Sequence, residues 1–334
     1  QAAGRITDVE RGLIPSERLY GLVELRQRGW EASISDSRWC GVTSKLRRKV
    51  YRFFELPSIS TFKEMRKADV IVVKDGFSST LLTEARLADK PLVYLDAMFD
   101  LPRTLRRRHS IAFNLKHASA VCCYSQQQAL HWAELFQMPI SRFKVMPYSI
   151  DTKFYPFLDR PQKNQGYVLA VGRDLGRDYG TLIAACEQLQ MNLKLVTMPY
   201  LVPENARLSP HVEILQGLSY EQLFNLYAGC VMAVIPLKHG INYPSGIRAM
   251  LESAALGVPT LVSKTLVLPE YLQDKEHVMH TVPESIDSLV ETMRSIIDDP
   301  LAAKQMAYRA AKTVRESFSM QHFVSKFENA IMYL

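Results

Sequence analysis

Residues Val231–Val262, VMAVIPLKHGINYPSGIRAMLESAALGVPTLV, leave this chain few choices of fold. Residues 231–237 form an apolar run of a length that suits a buried strand. A loop carrying His239, Gly240, Asn242, Pro244 and Ser245 separates it from a helical pattern over Gly246–Leu256. Ser245 is placed to cap that helix, Gly257 to end it, and Pro259 to stop it resuming before the apolar strand Thr260–Val262. The loop therefore empties onto a helix N-terminus, where free N–H groups and the helix dipole suit a phosphate. Glu252, seven residues after Ser245, returns almost to the same helical face about 10 Å along the axis. A pyrophosphate at the helix mouth would put the attached ribose within reach of its two acceptor oxygens; a solvent-facing glutamate on an ordinary helix is the competing reading.

The rest of the chain alternates in the same way. Apolar runs at ADVIVV (68–73), KPLVYLD (90–96), Ala118–Tyr124 and KVMPYSID (144–151) are separated by helical patterns from about Ser78 to Leu87, His109 to Lys116 and Gln126 to Phe136. A second series runs through the strand Tyr167–Val171, a helix from Thr181 to Leu189, strands at Leu193–Thr197 and Val212–Leu215, and the helix YEQLFNLYAGC. Beyond Val262, LPEYL (268–272) begins a helix and Val278–Val282 forms a short strand. Two helices then cover 284–297 and 301–315, ahead of the terminal RESFSMQHFVSKFENAIMYL. Pro156, Pro161, Asn164 and Gly166 mark a turn-rich boundary between the two series. Such alternation means parallel sheets, and 334 residues divide more naturally into two domains of roughly 150 than into one. The amino terminus fits least well. An open α/β domain starts on an apolar strand, which Arg5–Arg11 is not, and the first helical pattern runs from Ser16 to Arg28 with a stop at Gly29.

Open parallel sheets bind ligands at the C-terminal ends of their strands, so polar residues there are the candidates. In the first series Lys74, Asp75 and Gly76 follow one strand, and Asp96 closes the next with Asp100 shortly after. A carboxylate at Asp96 can accept sugar hydroxyls, orient an acceptor or act as a general base; an ion pair with Lys74 or Arg103 is its structural alternative. In the second series Gly172 allows a tight turn after Val171, and the loop then carries Arg173 and Arg177. Their guanidinium groups suit a diphosphate, or a network with Asp174 and Asp178.

Charge is divided unevenly. Residues 1–150 hold 24 Lys and Arg against 15 Asp and Glu, a net of +9, and the remainder holds 17 against 19, a net of −2. The densest basic runs are Lys45–Arg52 (KLRRKVYR), interleaved with apolar side chains, and Arg103–Arg108 (RTLRRR). They read as a solvated face, as a basic amphipathic segment on an anionic membrane surface, or as a contact for an acidic polymer. Cys40, Cys122, Cys123, Cys186 and Cys230 are an odd, scattered set without metal spacing, as in a reducing compartment. A cationic leader and an uninterrupted bilayer-spanning stretch are both missing from the sequence.

The segment MLESAALGVPTLV, with its loop and flanking strands, resembles the nucleotide-sugar signature of retaining GT-B glycosyltransferases, particularly family 4. The resemblance implies an α/β chain of GT-B class, with two doubly wound Rossmann-like domains facing across a cleft. It divides the chain into an acceptor-side domain (1–152), a linker (153–166), a donor-binding domain (167–315) and a C-terminal helix (316–334) returning toward the first domain. Glu252 falls on the second acid of the family's Glu-x7-Glu pair, which holds the donor ribose. The first acid falls on Pro244, and Ser245-Gly246 matches a variant that carries Ser-Gly ahead of the helix. Gly172, Arg173 and Arg177 are similar to the Gly-Arg-x-x-x-Lys loop, with a one-residue gap bringing Arg177 rather than Asp178 to the lysine's place. Donor contacts are thus expected from these three, from His239, Gly240, Asn242, Ser245 and Gly246, and from Glu252. Catalytic roles are expected of Asp96, which takes the place of a family histidine, Arg177 and Lys74. GLIPSERLYGLVELRQRGWEA resembles the family's opening Gly-rich loop and helix without its paired glycines, and implies acceptor-side contacts at Gly12 and Ser16, with Asp100 as a further candidate. YSIDTKFYPF resembles its interdomain linker.

The activity implied is transfer of a hexose-like sugar from a nucleoside diphosphate sugar to an acceptor hydroxyl, with retention, in glycolipid or polysaccharide synthesis. It calls for no cofactor and no metal held by the protein, and no Asp-x-Asp pair is present. The expected partners are the nucleotide sugar, a lipid-linked or acidic saccharide acceptor and an anionic membrane surface, rather than nucleic acid. The expected location is the cytoplasm, peripheral on the inner face of the membrane. An epimerase acting on nucleotide sugars and a non-enzymatic basic protein binding a membrane or polymer are the alternatives.

Overall fold

The structure, a computed structural model, describes residues 2–34, 59–74, 79–95, 105–158, 166–204, 209–241, 243–332 and 334. The chain divides into two compact units. One comprises residues 1–6, 22–147 and 324–334, the other residues 7–21 and 148–323.

The first unit is built on four parallel strands, β1 (Ile71–Lys74), β2 (Leu92–Leu95), β3 (Ala120–Cys123) and β4 (Phe143–Val145), in the order β1-β2-β3-β4. Helices Ser79–Leu87, Leu105–His117 and Gln126–Leu135 connect them. β2 and β3 are buried along their whole length, as strands covered on both faces must be. Leu82, Leu115, Tyr94, Val121 and Trp132 meet in one core, with Trp132 edge-on to both Phe136 and Phe143. Arg28 and Trp30 donate to the Glu328 carboxylate, Trp30 at 2.7 Å, which ties the start of this unit to the helix Met320–Ile331.

The second unit holds six parallel strands, β5 (Tyr167–Val171), β6 (Asn192–Val196), β7 (Val212–Leu215), β8 (Cys230–Ile235), β9 (Thr260–Ser263) and β10 (Met279–Thr281). Their order is β10-β9-β8-β5-β6-β7. Read from the β7 edge this is the doubly wound order 3-2-1-4-5-6 of dinucleotide-binding sheets. Val168, Leu195, Met232, Val234 and Leu261 from the strands pack with Leu182, Ile183, Leu289 and Met293 from helices into one core. Each such side chain contributes about 1.5–3 kcal/mol by leaving water. Local chemistry sets the helix starts. Asp178 accepts from Thr181 N–H, Ser219 and Gln222 form a reciprocal capping box, and Asp299 caps a helix with Pro300 at its first position.

Arg5–Arg11, which lacks the pattern of an opening strand, lies largely within a helix, Ala2–Glu10. Other sequence expectations change. The single helix expected over Ser16–Arg28 is broken: Ser16–Leu19 is a 3-10 turn, Tyr20 and Gly21 take φ of 54° and 86°, and the α-helix spans only Leu22–Gln27. The expected helix at 268–272 is one 3-10 turn, Leu268–Glu270. Residues 7–21, placed by sequence in the first domain, pack with the second unit, because Ser16 N–H donates to the Asp151 carboxylate and Asp151 N–H donates to Glu17.

Candidate functional site

In the six-stranded sheet the chain winds away in opposite directions from β5 and β8, which lie side by side. Ligands of doubly wound sheets bind at this reversal, beyond the strand C-termini. Here the loops leaving β5 and β8 are stitched together: Asp178 N–H donates to Pro236 O at 3.1 Å and Lys238 N–H to Gly176 O at 2.9 Å. Asp174 is their polar hub. Its Oδ2 accepts from Arg177 Nε at 2.8 Å, and its Oδ1 accepts from the Ser245 hydroxyl and, at 3.2 Å, from Gly176 N–H. Burial pushes the Asp174 carboxyl up, but Arg177 and the Ser245 hydroxyl outweigh it and hold the group below the usual carboxylate range.

Arg177 is buried, and its Nη1 has no hydrogen-bond partner among the described residues. The guanidinium lies flat against Gly172, where an added Cβ would stand only 2.3 Å from Nε, so the glycine makes room for the cation. Ser245, bound to the same aspartate, stands two residues ahead of the helix Ile247–Ala255. Ser245 is not the N-cap. That position is Gly246, at φ 83° in the left-handed region, with its missing Cβ accommodating Ile235. Gly246 brings no side chain to cap the first turn, whose N–H groups and positive helix end suit an anion. The helix ends as the sequence predicts, with Gly257 at φ 77° and its N–H on Ala254 O.

Glu252 lies further along the same helix, buried in a polar cluster. Its Oε1 accepts from Arg248 Nε at 2.6 Å and from the Tyr155 hydroxyl at 2.8 Å. The same Tyr155 hydroxyl lies 3.1 Å from Glu17 Oε1, and Arg248 Nη2 donates to the Tyr220 hydroxyl at 2.7 Å. Glu252 is therefore not the solvent-facing glutamate of the simpler reading.

Of the sequence candidates, Gly172, Arg177, Ser245 and Gly246 converge at the reversal point through Asp174, and Arg173, His239 and Gly240 are exposed on the same two loops. Lys74 closes β1 in the other unit. Gly12 takes φ 68° in an exposed turn, and Ser16 is buried against Asp151. Asp96, Asp100, Asn242 and the run Lys45–Arg52 lie outside the described residues. Sequence reasoning left Asp174 and Asp178 as members of a structural network; Asp174 joins the two loops and Asp178 caps a helix. Glu17, Tyr155 and Arg248 went unnoticed as neighbours of Glu252. Arg248 had a legible signal, four residues ahead of Glu252 on one helix.

Residues 159–313 match the family model Glycosyl transferases group 1. Glycogen synthase of Mycobacterium tuberculosis (strain CDC 1551 / Oshkosh) is 26% identical over 201 residues, 56% of this chain and 48% of that protein. The chain thus spans about half the length of the curated relatives it matches. Anabaena Alr3699/HepE, solved in complex with UDP and glucose, superposes with a TM-score of 0.71 at 17% identity, over 93% of this chain and 89% of that one. Its complex with UDP-glucose gives 0.65 at 18%, over 82% and 81%. The sucrose-phosphate synthase of Thermosynechococcus elongatus gives 0.67 at 16%, over 86% and 78%. These likenesses show the fold: α/β, of GT-B class, with two Rossmann-like domains.

Proposed function

We propose that the protein is a glycosyltransferase that moves a hexose-like sugar from a nucleoside diphosphate sugar to an acceptor hydroxyl. The observation that carries this reading is Arg177, a buried guanidinium whose Nη1 has no partner among the described residues, joined through Asp174 to Ser245 at the mouth of a helix whose N-cap is a glycine. A buried guanidinium and a helix mouth side by side at the reversal point of a doubly wound sheet fit the diphosphate of a nucleotide. The family match over 159–313 and the sugar nucleotide in the Anabaena complex support the same reading.

In this reading the bond from the sugar's anomeric carbon to the diphosphate oxygen breaks as the acceptor oxygen bonds to that carbon. The acceptor's proton passes to the departing phosphate. Arg177 and the helix mouth oppose the charge that grows on the diphosphate, the term that preorganised dipoles and cations serve best. We take attack on the face of departure, with retention, as the mode closest to family 4, so that no nucleophilic carboxylate and no protein-held metal are needed. Glu252 holds the ribose, and Asp96 and Lys74 orient sugar or acceptor. A lipid-linked or acidic saccharide acceptor, reached from the cytoplasmic face of an anionic membrane and used in glycolipid or polysaccharide synthesis, suits the basic first half. Among the described residues no helix is long and apolar enough to cross a membrane.

Calorimetric titration with UDP, GDP and ADP and their hexose conjugates, followed by assays for nucleotide release with and without saccharide acceptors, tests the proposal. Binding of at least one diphosphate, and release that depends on an acceptor, are expected. Failure of every diphosphate to bind would reject it, and release of free sugar in the absence of acceptor would assign a different reaction.

A further inference from the structure

Two buried carboxylates converge on one phenol. Glu17 Oε1 and Glu252 Oε1 stand 3.1 and 2.8 Å from the Tyr155 hydroxyl, which has a single proton to donate. Both contacts are hydrogen bonds at once only when one carboxyl is itself protonated and donates to the phenolic oxygen. Charge balance asks for the same proton. Arg248 is the one cation among these groups, bonded at 2.6 Å to Glu252 and 3.7 Å from Glu17, so two ionised carboxylates would leave a net negative charge out of water. The closer ion pair keeps Glu252 ionised and leaves the proton to Glu17. The other ionisable groups facing Glu17 do not replace Arg248. Asp151 offers its backbone N–H to Glu17 Oε2 and turns its carboxylate to the N–H groups of Ser16, Lys153 and Phe154, and Tyr220 is bound to Arg248.

We propose that Glu17 is a positioning residue for Glu252, acting as a neutral acid that donates to Tyr155 so that Tyr155 donates to Glu252 while Arg248 closes on the same carboxylate. The role rests on the donor reading given above, in which Glu252 receives the ribose hydroxyls. Burial pushes the Glu17 carboxyl up to about 7, against the lowering effect of Arg248, so the proton leaves as the solution passes neutrality. Burial also pushes the Tyr155 hydroxyl well up, helped by both carboxylates, and it stays a donor throughout. Once Glu17 ionises, the two carboxylates compete for the Tyr155 proton and for Arg248, and Glu252 loses its fixed orientation.

The test is calorimetric binding of UDP-glucose, whose diphosphate does not titrate near neutrality, at pH 6 and pH 8. The native protein is compared with Glu17→Gln and Tyr155→Phe, and carboxyl infrared spectra of the ligand-free proteins are recorded at the same two pH values. The native protein should bind about threefold to tenfold more weakly at pH 8, the worth of one hydrogen bond. Glu17→Gln, whose amide keeps the donor at every pH, should bind at pH 8 as the native protein does at pH 6. Tyr155→Phe should lose the advantage at pH 6. The native spectrum should lose a protonated-carboxyl band between pH 6 and pH 8 that Glu17→Gln never shows. A Glu17→Gln protein with the native pH profile, or a native spectrum without that band, overturns the inference. Absence of native binding at both pH values would reject the donor reading and the positioning role with it, and the band would then report on the Glu17 proton alone.

Discussion

Arg177 Nη1 is buried without a partner among the described residues, an arrangement that costs about 1–3 kcal/mol and that a bound anion would offset. Arg177→Ala should therefore lower the single-turnover rate by roughly a hundredfold or more, as loss of a donor to developing charge does, with little effect on affinity for the free nucleoside. An unchanged rate would return Arg177 to a purely structural pairing with Asp174. Glu252→Gln should weaken binding of the nucleotide sugar by about 1–3 kcal/mol, read by calorimetry on a protein with unchanged circular dichroism; equal affinity would remove Glu252 from the site. Glu17 acts on stability too. Its carboxyl sits at about 7 when folded and near 4.5 otherwise, so between those values only the folded state holds the proton. The stability it contributes is complete below 4.5 and disappears as the pH rises through 7, a change of about 3 kcal/mol. Denaturant unfolding from pH 4 to pH 8 should show that loss in the native protein and not in Glu17→Gln. None of this was legible at Glu17 itself, because its partners Asp151 and Tyr155 lie 134 and 138 residues away.

Elements were far easier to read than side-chain partners. The strands and helices of the second unit follow from apolar runs and turn residues, and β5 and β7 fall on their expected residues: β5 is buried over most of its length and leaves a continuous apolar stretch, and β7, the half-buried edge strand, keeps an apolar run around Glu213. The misreadings have a common cause. At Ser16–Arg28 the helical periodicity is real, but Tyr20 and Gly21 adopt positive φ and break it, while Glu17 turns to the second unit. At Ser245 a good capping residue is drawn away by Asp174, a partner 71 residues distant, and Gly246 takes the cap. The turn after β5 offers a test at this scale. Gly172 does not need a positive φ, and the three atoms nearest to an added Cβ all belong to the Arg177 guanidinium. Gly172→Ala should keep its melting temperature within a few degrees yet lose diphosphate affinity by roughly tenfold to a hundredfold, as Arg177→Ala would. A variant that binds normally would show that the guanidinium can settle elsewhere without loss.

Across the whole molecule the net charge of +9 over residues 1–150 against −2 over the rest gives the chain an electrical polarity. Each basic residue near an anionic bilayer contributes about 1 kcal/mol, so co-sedimentation with anionic vesicles should exceed that with neutral ones at low salt. It should fall at physiological salt, and again on neutralising Arg47, Arg48, Lys49 and Arg52. Equal retention on both vesicles, or no loss on neutralisation, would discard the membrane, and selective binding to an acidic polysaccharide would redirect the search for the acceptor. The division into units has a further consequence during synthesis. Residues 7–21 are made before the rest of the second unit, and the aspartate that receives Ser16 follows 135 residues later. At about 5–20 residues per second that interval is on the order of ten seconds. Through it Glu17, buried in the finished protein, stands in water as an ordinary acid, because Asp151, Tyr155 and Arg248, the groups that enclose it, do not yet exist.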